Sequence, residues 1–256
     1  GFGGISSGLA PMIRMHDQNS KILIGLDDKA LSITAITDIM NMIGQCVVAG
    51  NVRRTAQIAL GDVADSEYRK LKDYSWDSEA GSYKGNQAHR AAWGWASNNS
   101  VKVDYKTDFK EVAKQVAING EPGFVFMDNI RDFSRMCDPA DFKDIKAKGT
   151  NPCGEQSLES YELCCLVETF PSRAESKEDY QRTLKFAYLL GKTATLVSTT
   201  WQDSNRVQKR NRRIGTSVSG VTNFIHNHSL ETLRQWLTSG YNEIKRWDDI
   251  YSSWLC

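Results

Sequence analysis

The chain has 256 residues, 40% of them hydrophobic and 25% charged, with a formal net charge of +1. That balance fits an ordinary folded chain with a buried core, and it offers no strong field for a nucleic acid or a membrane surface. No apolar run approaches the roughly 18 residues that a membrane-crossing helix needs, and no secretory signal is expected, since the sequence opens on Gly-Phe-Gly-Gly with no basic stretch before an apolar one.

In chain order, "GFGGISSG" (1–8) reads as a loop carrying two hydroxyls, Ser6 and Ser7. It lacks the glycine spacing of a dinucleotide fingerprint, and no strand precedes it. A helix is expected over Asp28–Ile43, with Ile33, Ile36, Met40 and Ile43 on one apolar face. "VRRTAQIAL" (52–60) alternates like a strand, and 65–91 reads as a long polar surface loop with a short helix. "TDFKEVAKQVAING" (107–120) is a clear helix, capped by Thr107, favoured by Asp108 at its positive end and stopped by Gly120. "GFVFM" (123–127) suits a buried strand, and 138–153 is a charged approach to the motif that follows.

Ser176 with Asp179 three residues on opens a second strong helix, whose stripe is Tyr180, Leu184, Ala187, Tyr188 and Gly191. "KRNRR" (209–213) has the look of a nucleic-acid patch, but cations suit a helix C-terminus leading into a strand. "RRIGTSVSGV" reads as that strand and a turn, and two helices follow near 229–239 and 240–253. Helices alternating with strands predict an α/β fold with a largely parallel sheet. No linker divides the chain, so 1–256 is expected to be a single segment of one domain. The glycine-rich start and aromatic-rich end suggest a piece of a longer chain.

Six cysteines, at 46, 137, 153, 164, 165 and 256, are too few for a disulfide scaffold and show no C-x2-C zinc spacing. His226 and His228 form an isolated H-x-H, read as surface residues, so no metal site is expected. A cytoplasmic chain with reduced or redox-active thiols follows.

The stretch "NPCGE" (151–155) carries the chemistry. Pro152 pushes Asn151 to an extended backbone and Gly154 permits a tight turn, so Cys153 stands at a loop tip. Asn151 and Glu155 flank its sulfur. Several readings are open. The thiol could be a buried structural cysteine. It could be a nucleophilic thiolate, although a flanking carboxylate raises a thiol pKa and no histidine is near in sequence. It could also be a neutral thiol that loses a hydrogen atom, while the carboxylate takes a proton from a neighbouring hydroxyl. That last arrangement suits activation of a vicinal diol.

"NPCGEQSLESYELCCLVE" (151–168) resembles the finger-loop region of class II, adenosylcobalamin-dependent ribonucleotide reductases, and is especially similar to the monomeric ribonucleoside-triphosphate reductases. "GGISSGLAPMI" (3–13), "VVAGNVRRTAQIALGD" (47–62), "ASNNSV" (96–101), "EPGFVFMDN" (121–129) and "WQDSNRVQKRNRRIGTSVSG" (201–220) support the resemblance in order. It implies part of a ten-stranded α/β barrel with the finger loop inside. It implies Cys153 as the thiyl radical that takes the ribose 3′-hydrogen, Glu155 as acceptor of the 3′-hydroxyl proton, and Asn151 as a hydrogen-bonding partner of the ribose hydroxyls. Cys164, favoured by its spacing from NPCGE, would be the second cysteine of the reducing pair, with Cys165 a structural neighbour on the opposite strand face or, were the register to slip by one, the redox cysteine instead. Ser6 and Ser7 would meet ribose or phosphate, and Asn98 and Asn99 would help position the substrate or the loop.

Adenosylcobalamin would be the cofactor and a ribonucleoside triphosphate the substrate. A thioredoxin-type reductant and dNTP or ATP effectors would act through segments outside this chain, on a monomer or homodimer. The partner cysteine of the reducing pair is expected upstream of Gly1, so the chain alone should be inactive. Rivals are a class I ribonucleoside-diphosphate reductase large subunit, a catalytically dead nucleotide-binding remnant and a cysteine hydrolase. A glycyl-radical reductase is disfavoured because Glu155 is present.

Overall fold

The structure is a computed structural model that describes residues 7–50, 55–133 and 139–255. Ser6, the first residues of the expected strand at 52–60, Cys137 and Cys256 lie outside the described residues. The chain forms two compact units, Gly1–Ser157 and Leu158–Cys256. Both mix helices with parallel strand pairs, as the alternating pattern predicts. Among the described residues no helix is long and apolar enough to cross a membrane.

In the first unit, α1 (Ala10–Leu26) was not legible, because "HDQNSK" interrupts its apolar spacing; Pro11 sits at its start and none of its residues is buried. The helix expected over Asp28–Ile43 is α2, Ile33–Val47. Asp27 and Asp28 hold left-handed φ values of 46° and 61°, which no right-handed helix can include. The helix begins instead after Ser32, whose hydroxyl accepts from Ala35 N–H at 3.1 Å. Its buried face is also not the expected one. Ile36 and Met40 are exposed, while Ala35, Asp38, Asn41 and Met42 turn inward.

β1 (Gln57–Asp62) follows within the expected strand. Residues 65–91 are more structured than a surface loop. They hold α3 (Ser66–Arg69) and an antiparallel pair of β2 (Ser75–Asp77) and β3 (Ser82–Lys84). Tyr68, Leu71 and Tyr74 from this stretch are buried, and Tyr68 O–H donates to Ala59 C=O at 2.5 Å. Three aromatic or aliphatic anchors among charged residues escape any periodicity, so packing rather than pattern fixes this segment.

β4 (Ser97–Val103) is the middle strand of a three-stranded parallel sheet, between β1 and β5 (Gly123–Phe126). Its polar "SNNS" start has poor strand propensity; pairing with β1 from Ser97 onward, joined by β5 from Ser100, overrides that. α4 is Lys110–Asn119, ended by Gly120 as expected. Thr107 does not cap it, because its hydroxyl closes a turn with Asp104, accepting from Asp104 N–H at 3.0 Å and donating to Asp104 Oδ1 at 2.9 Å. Asp108 instead accepts from Lys110 N–H at 3.0 Å. β5 (Gly123–Phe126) is not buried: Phe124 and Phe126 are part-exposed beside Phe109, and burial begins with Met127 in α5 (Met127–Phe133). β6 (Gly149–Thr150) and β7 (Ser157–Leu158) then bracket the motif.

In the second unit, β8 (Cys165–Thr169) pairs in parallel with β9 (Ile214–Val218), from Cys165 opposite Ile214 to Thr169 opposite Val218. α6 (Lys177–Ala194) starts as expected, with Ser176 Oγ accepting from Asp179 N–H at 3.2 Å, and it buries the whole expected stripe. α7 (Gln202–Asn211) ends in the basic run and leads into β9, as its charge pattern predicted. α8 (Val221–Asn227) supplies Phe224 to the core. The last two expected helices are one, α9 (Leu230–Leu255). Gly240 does not break it; a Cβ there would lie 2.5 Å from Leu184 Cδ1, so the glycine permits close packing on α6. Tyr180, Leu184, Tyr188, Phe224, Leu233, Trp236 and Trp247 form this unit's core.

Candidate active site

The NPCGE loop is built by its own backbone. Asn151 is buried, and its N–H donates to Gln156 C=O at 3.0 Å while its Oδ1 accepts from Gln156 N–H at 3.0 Å. Gly154 N–H donates back to Asn151 C=O at 3.0 Å, closing the turn. Gly154 has φ +86°, the left-handed region that glycine enters without a Cβ penalty. The result is a loop whose ends are locked and whose tip residues, Cys153 and Glu155, are exposed to solvent. Cys153 is a free thiol and not a buried structural cysteine.

Asn98, exposed on β4, donates from Nδ2 to Pro152 C=O at 2.8 Å and so ties the strand to the residue before the thiol. Asn99 points to the other face of the strand, is buried, and accepts from Ser97 Oγ at 3.0 Å. The structure therefore brings Asn98 to the loop but not Asn99. Ser7 is exposed just before α1. Cys164 is half-buried and belongs to the second unit. Cys165 begins β8 and its sulfur accepts from Gln208 Nε2 at 3.6 Å. Among the described residues no cluster of His, Cys, Asp or Glu could hold a metal ion.

Beside the loop lies a cleft of ≈ 350 Å³, lined among others by Gly44, Gln57, Trp95, Asn98 and Pro152. That volume falls in the range of small-ligand sites. Gln57 and Trp95 were not singled out from the sequence. Only the fold carries them to the cleft, and no spacing signal marks them. Outside the cleft's lining, α2 is walled by a buried ion pair. Asp38 Oδ1 of α2 accepts from Arg90 Nη2 at 2.5 Å and from Trp93 Nε1 at 2.6 Å. Burial pushes the Asp38 carboxyl above its ordinary range, against the opposing pull of the Trp93 N–H and the Arg90 guanidinium. This pair holds the segment that delivers Trp95 and Asn98.

Chemically, the loop offers an accessible thiol, a nearby carboxylate in sequence, and an amide-anchored backbone beside a ligand-sized cleft. The exposed tip leaves room for a bulky group to approach the sulfur.

The chain is 48% identical over 255 residues to the adenosylcobalamin-dependent ribonucleoside-triphosphate reductase of Euglena gracilis, covering 100% of this chain and 34% of that protein. It is 47% identical over 256 residues to the probable enzyme of the same name from Dictyostelium discoideum, covering 100% of this chain and 32% of that protein. With the Lactobacillus leichmannii enzyme it shares 38% identity over 228 residues, 88% of this chain and 29% of that protein. No protein-family model and no solved structure matches the chain. The chain spans about a third of the length of the curated relatives it matches. Along that third, it is a homologue of the adenosylcobalamin-dependent ribonucleoside-triphosphate reductases.

Proposed function

We propose that the chain is part of an enzyme that reduces ribonucleoside triphosphates to 2′-deoxyribonucleoside triphosphates by thiyl-radical chemistry. The observation that carries this reading is a match to named reductases along the whole of this chain, which includes a locked loop presenting an exposed Cys153. Both compact units would belong to one catalytic α/β barrel of ten strands, with 151–168 spanning its finger-loop region.

The exposed thiol fits adenosylcobalamin, since the sulfur at the loop tip is open to the approach of a bulky group. Cys153 is the residue that would meet it. When bound, the cofactor supplies a radical through homolysis of its cobalt–carbon bond.

As a thiyl radical, Cys153 takes the hydrogen atom from C3′ of the ribose, forming S–H and leaving the substrate radical. Glu155 accepts the 3′-hydroxyl proton. Asn151 hydrogen-bonds the ribose hydroxyls from the root of the loop. The 2′-hydroxyl leaves as water with a thiol proton. Cys164 and a second cysteine outside this stretch become a disulfide, their two electrons and second proton placing a hydrogen on C2′, while Glu155 returns its proton to the 3′-oxygen. Cys153 then returns its hydrogen to C3′. Asn98 holds the loop through Pro152, Asn99 supports the strand from behind, and Ser6 and Ser7 approach ribose or phosphate. A thioredoxin-type protein would reduce the disulfide, and dNTP or ATP effectors would act elsewhere on a cytoplasmic monomer or homodimer.

The test is reduction of CTP and ATP by the full-length protein, with and without adenosylcobalamin. Deoxynucleotide that appears only with the cofactor and vanishes in Cys153→Ser supports the reading. Turnover without the cofactor would move the protein to a reductase that draws its radical from another subunit. Absence of turnover in both conditions would leave a nucleotide-binding remnant.

A further inference from the structure

We propose that Glu162 is a positioning residue for Cys164, and that it acts by clamping the turn that leads into the cysteine's strand. The proposal rests on reading Cys164 as a redox cysteine, but its geometry stands separately.

Glu162 is buried, and both of its carboxylate oxygens are engaged. Oε2 accepts from Glu159 N–H at 2.7 Å, while Glu162 N–H donates to Glu159 C=O at 3.1 Å. The turn 159–162 is thus closed twice, once by backbone and once by the side chain. Oε1 accepts from Arg213 Nε at 2.9 Å and from Asn211 Nδ2 at 3.0 Å. Arg210 pairs with Glu159 at the other end of the same turn. A single short stretch, 210–213, therefore grips the turn at both ends.

Inside that turn, Tyr161 sits at φ +66° with its side chain exposed. A bulky residue is rarely found there, and such a conformation persists only where its surroundings over-determine it. The Glu162 carboxylate is that surrounding. Immediately downstream, Cys165 opposite Ile214 forms the first rung of the β8–β9 ladder, and the Cys165 sulfur is held by Gln208. Cys164 lies between these two fixed points, two residues after the clamp and one before the rung.

A buried ion pair is a poor source of net stability but a directional one. An apolar pair would fill the same space without dictating where the backbone enters the strand. The basic run that resembled a nucleic-acid patch thus has another use: Arg210 and Arg213 are spent on this turn, and Arg212 Nε donates to Thr195 Oγ1 at 2.6 Å.

The experiment uses the full-length protein with Glu162→Gln and, as a milder variant, Asn211→Ala. The introduced amide retains an oxygen for Arg213 and Asn211 but removes the Glu162 charge facing the guanidinium, and its nitrogen cannot accept from Glu159 N–H. Two readouts are taken: steady-state kcat and KM, and the iodoacetamide alkylation rates of Cys164 and Cys153 followed by mass spectrometry. The expected result is a kcat lower by on the order of 10- to 100-fold with KM unchanged, since a small misplacement of a reacting group costs that much. Cys164 alkylation changes several-fold and Cys153 alkylation does not. Asn211→Ala moves both readouts the same way by less.

Unchanged Cys164 alkylation in a folded Glu162→Gln protein overturns the proposal. If that variant fails to fold, unchanged Cys164 alkylation in Asn211→Ala overturns it. A wild-type protein that makes no deoxynucleotide, while Cys164 alkylation still responds to Glu162→Gln, overturns the functional reading and upholds the clamp.

Discussion

The two compact units solve the problem of an interior differently. The second is closed by aromatic packing: Tyr180 and Trp236 stack with ring centroids 5.9 Å apart, and Phe224 meets Trp236 edge-on at 4.9 Å. The first has a smaller apolar cluster, around Tyr68, Leu71, Val101, Val103 and Val112, and places Asp38, Arg90, Ser97, Asn99 and Asn151 inside; the second buries polar groups too, Glu162, Lys192 and Thr195 among them. Apolar packing tolerates imprecision, whereas buried polar groups must each find a partner. The unit that holds the candidate radical loop fixes that loop through such partners, Asn151 with Gln156 and Asn98 with Pro152. That is what a loop needing fixed geometry requires.

The largest way to break this contrast is to remove a member of each interior. Phe224→Ala, at a fully buried ring, should cost about 3–5 kcal/mol. Urea unfolding would measure the loss, and hydrogen exchange should rise in α6, α8 and α9. Asp38→Ala should cost a similar ~3–5 kcal/mol, because it strands a buried guanidinium. Its signature should differ, with exchange rising at Trp93–Asn98 and the Asn98–Pro152 contact loosening. Equal exchange changes in both units for both variants would erase the distinction.

A smaller effect is expected from Ser176→Ala, which removes the cap of α6 and should cost about 1 kcal/mol. Asn98→Ala deletes one exposed hydrogen bond and should cost under ~1 kcal/mol of stability, yet it should lower activity of the full-length protein. Stability loss without activity loss would show that the Pro152 contact does not hold the loop.

The smallest and most discriminating test is pH. Burial raises the Asp248 carboxyl, but the hydrogen bonds from Tyr188 and Lys192 outweigh it and hold the carboxyl below its ordinary 3.8. A depressed carboxylate contributes stability that is present above 3.8 and lost as pH falls through its folded value. Asp38 is shifted the other way, so acidification through the same range does not withdraw stability from the first unit through that group. Acid should therefore loosen the α6–α9 clamp, where Lys192 Nζ lies 3.0 Å from Asp248, before it loosens the α2 wall. At the alkaline end, burial lifts Tyr74 from 10.0 to about 12, so its contribution is full below pH 10.0 and lost as pH rises toward about 12. Exchange of α6 and α2 amides across both ranges checks the order.

Much of the second unit was legible, and for a physical reason. α6 carries a local cap, an acidic first turn and an uninterrupted apolar stripe, all within one helix. The basic run ended a helix because its charges suit that terminus. The first unit was less legible. The α2 spacing pointed to Ile36 and Met40, yet Asp38 and Asn41 took the interior because Arg90 and Trp93, more than fifty residues away, needed a carboxylate. β4 was hidden because its "SNNS" start is polar and its pairing with β1, forty residues earlier in the sequence, makes it a strand.

The sequence by itself determined the NPCGE turn, since Pro152 and Gly154 act on their own backbone and leave Cys153 at the tip. It also determined the α6 and α4 helices, whose periodicity and stop signals are local. Only the tertiary structure decided which asparagine of the pair reaches the loop, because alternation along a paired strand sends Asn98 one way and Asn99 the other. It alone decided that Gln57 and Trp95 line the cleft and that Glu162 grips Arg213. Those partners lie about fifty residues apart or on separate elements, and no pattern within a single element encodes a contact whose other half is elsewhere.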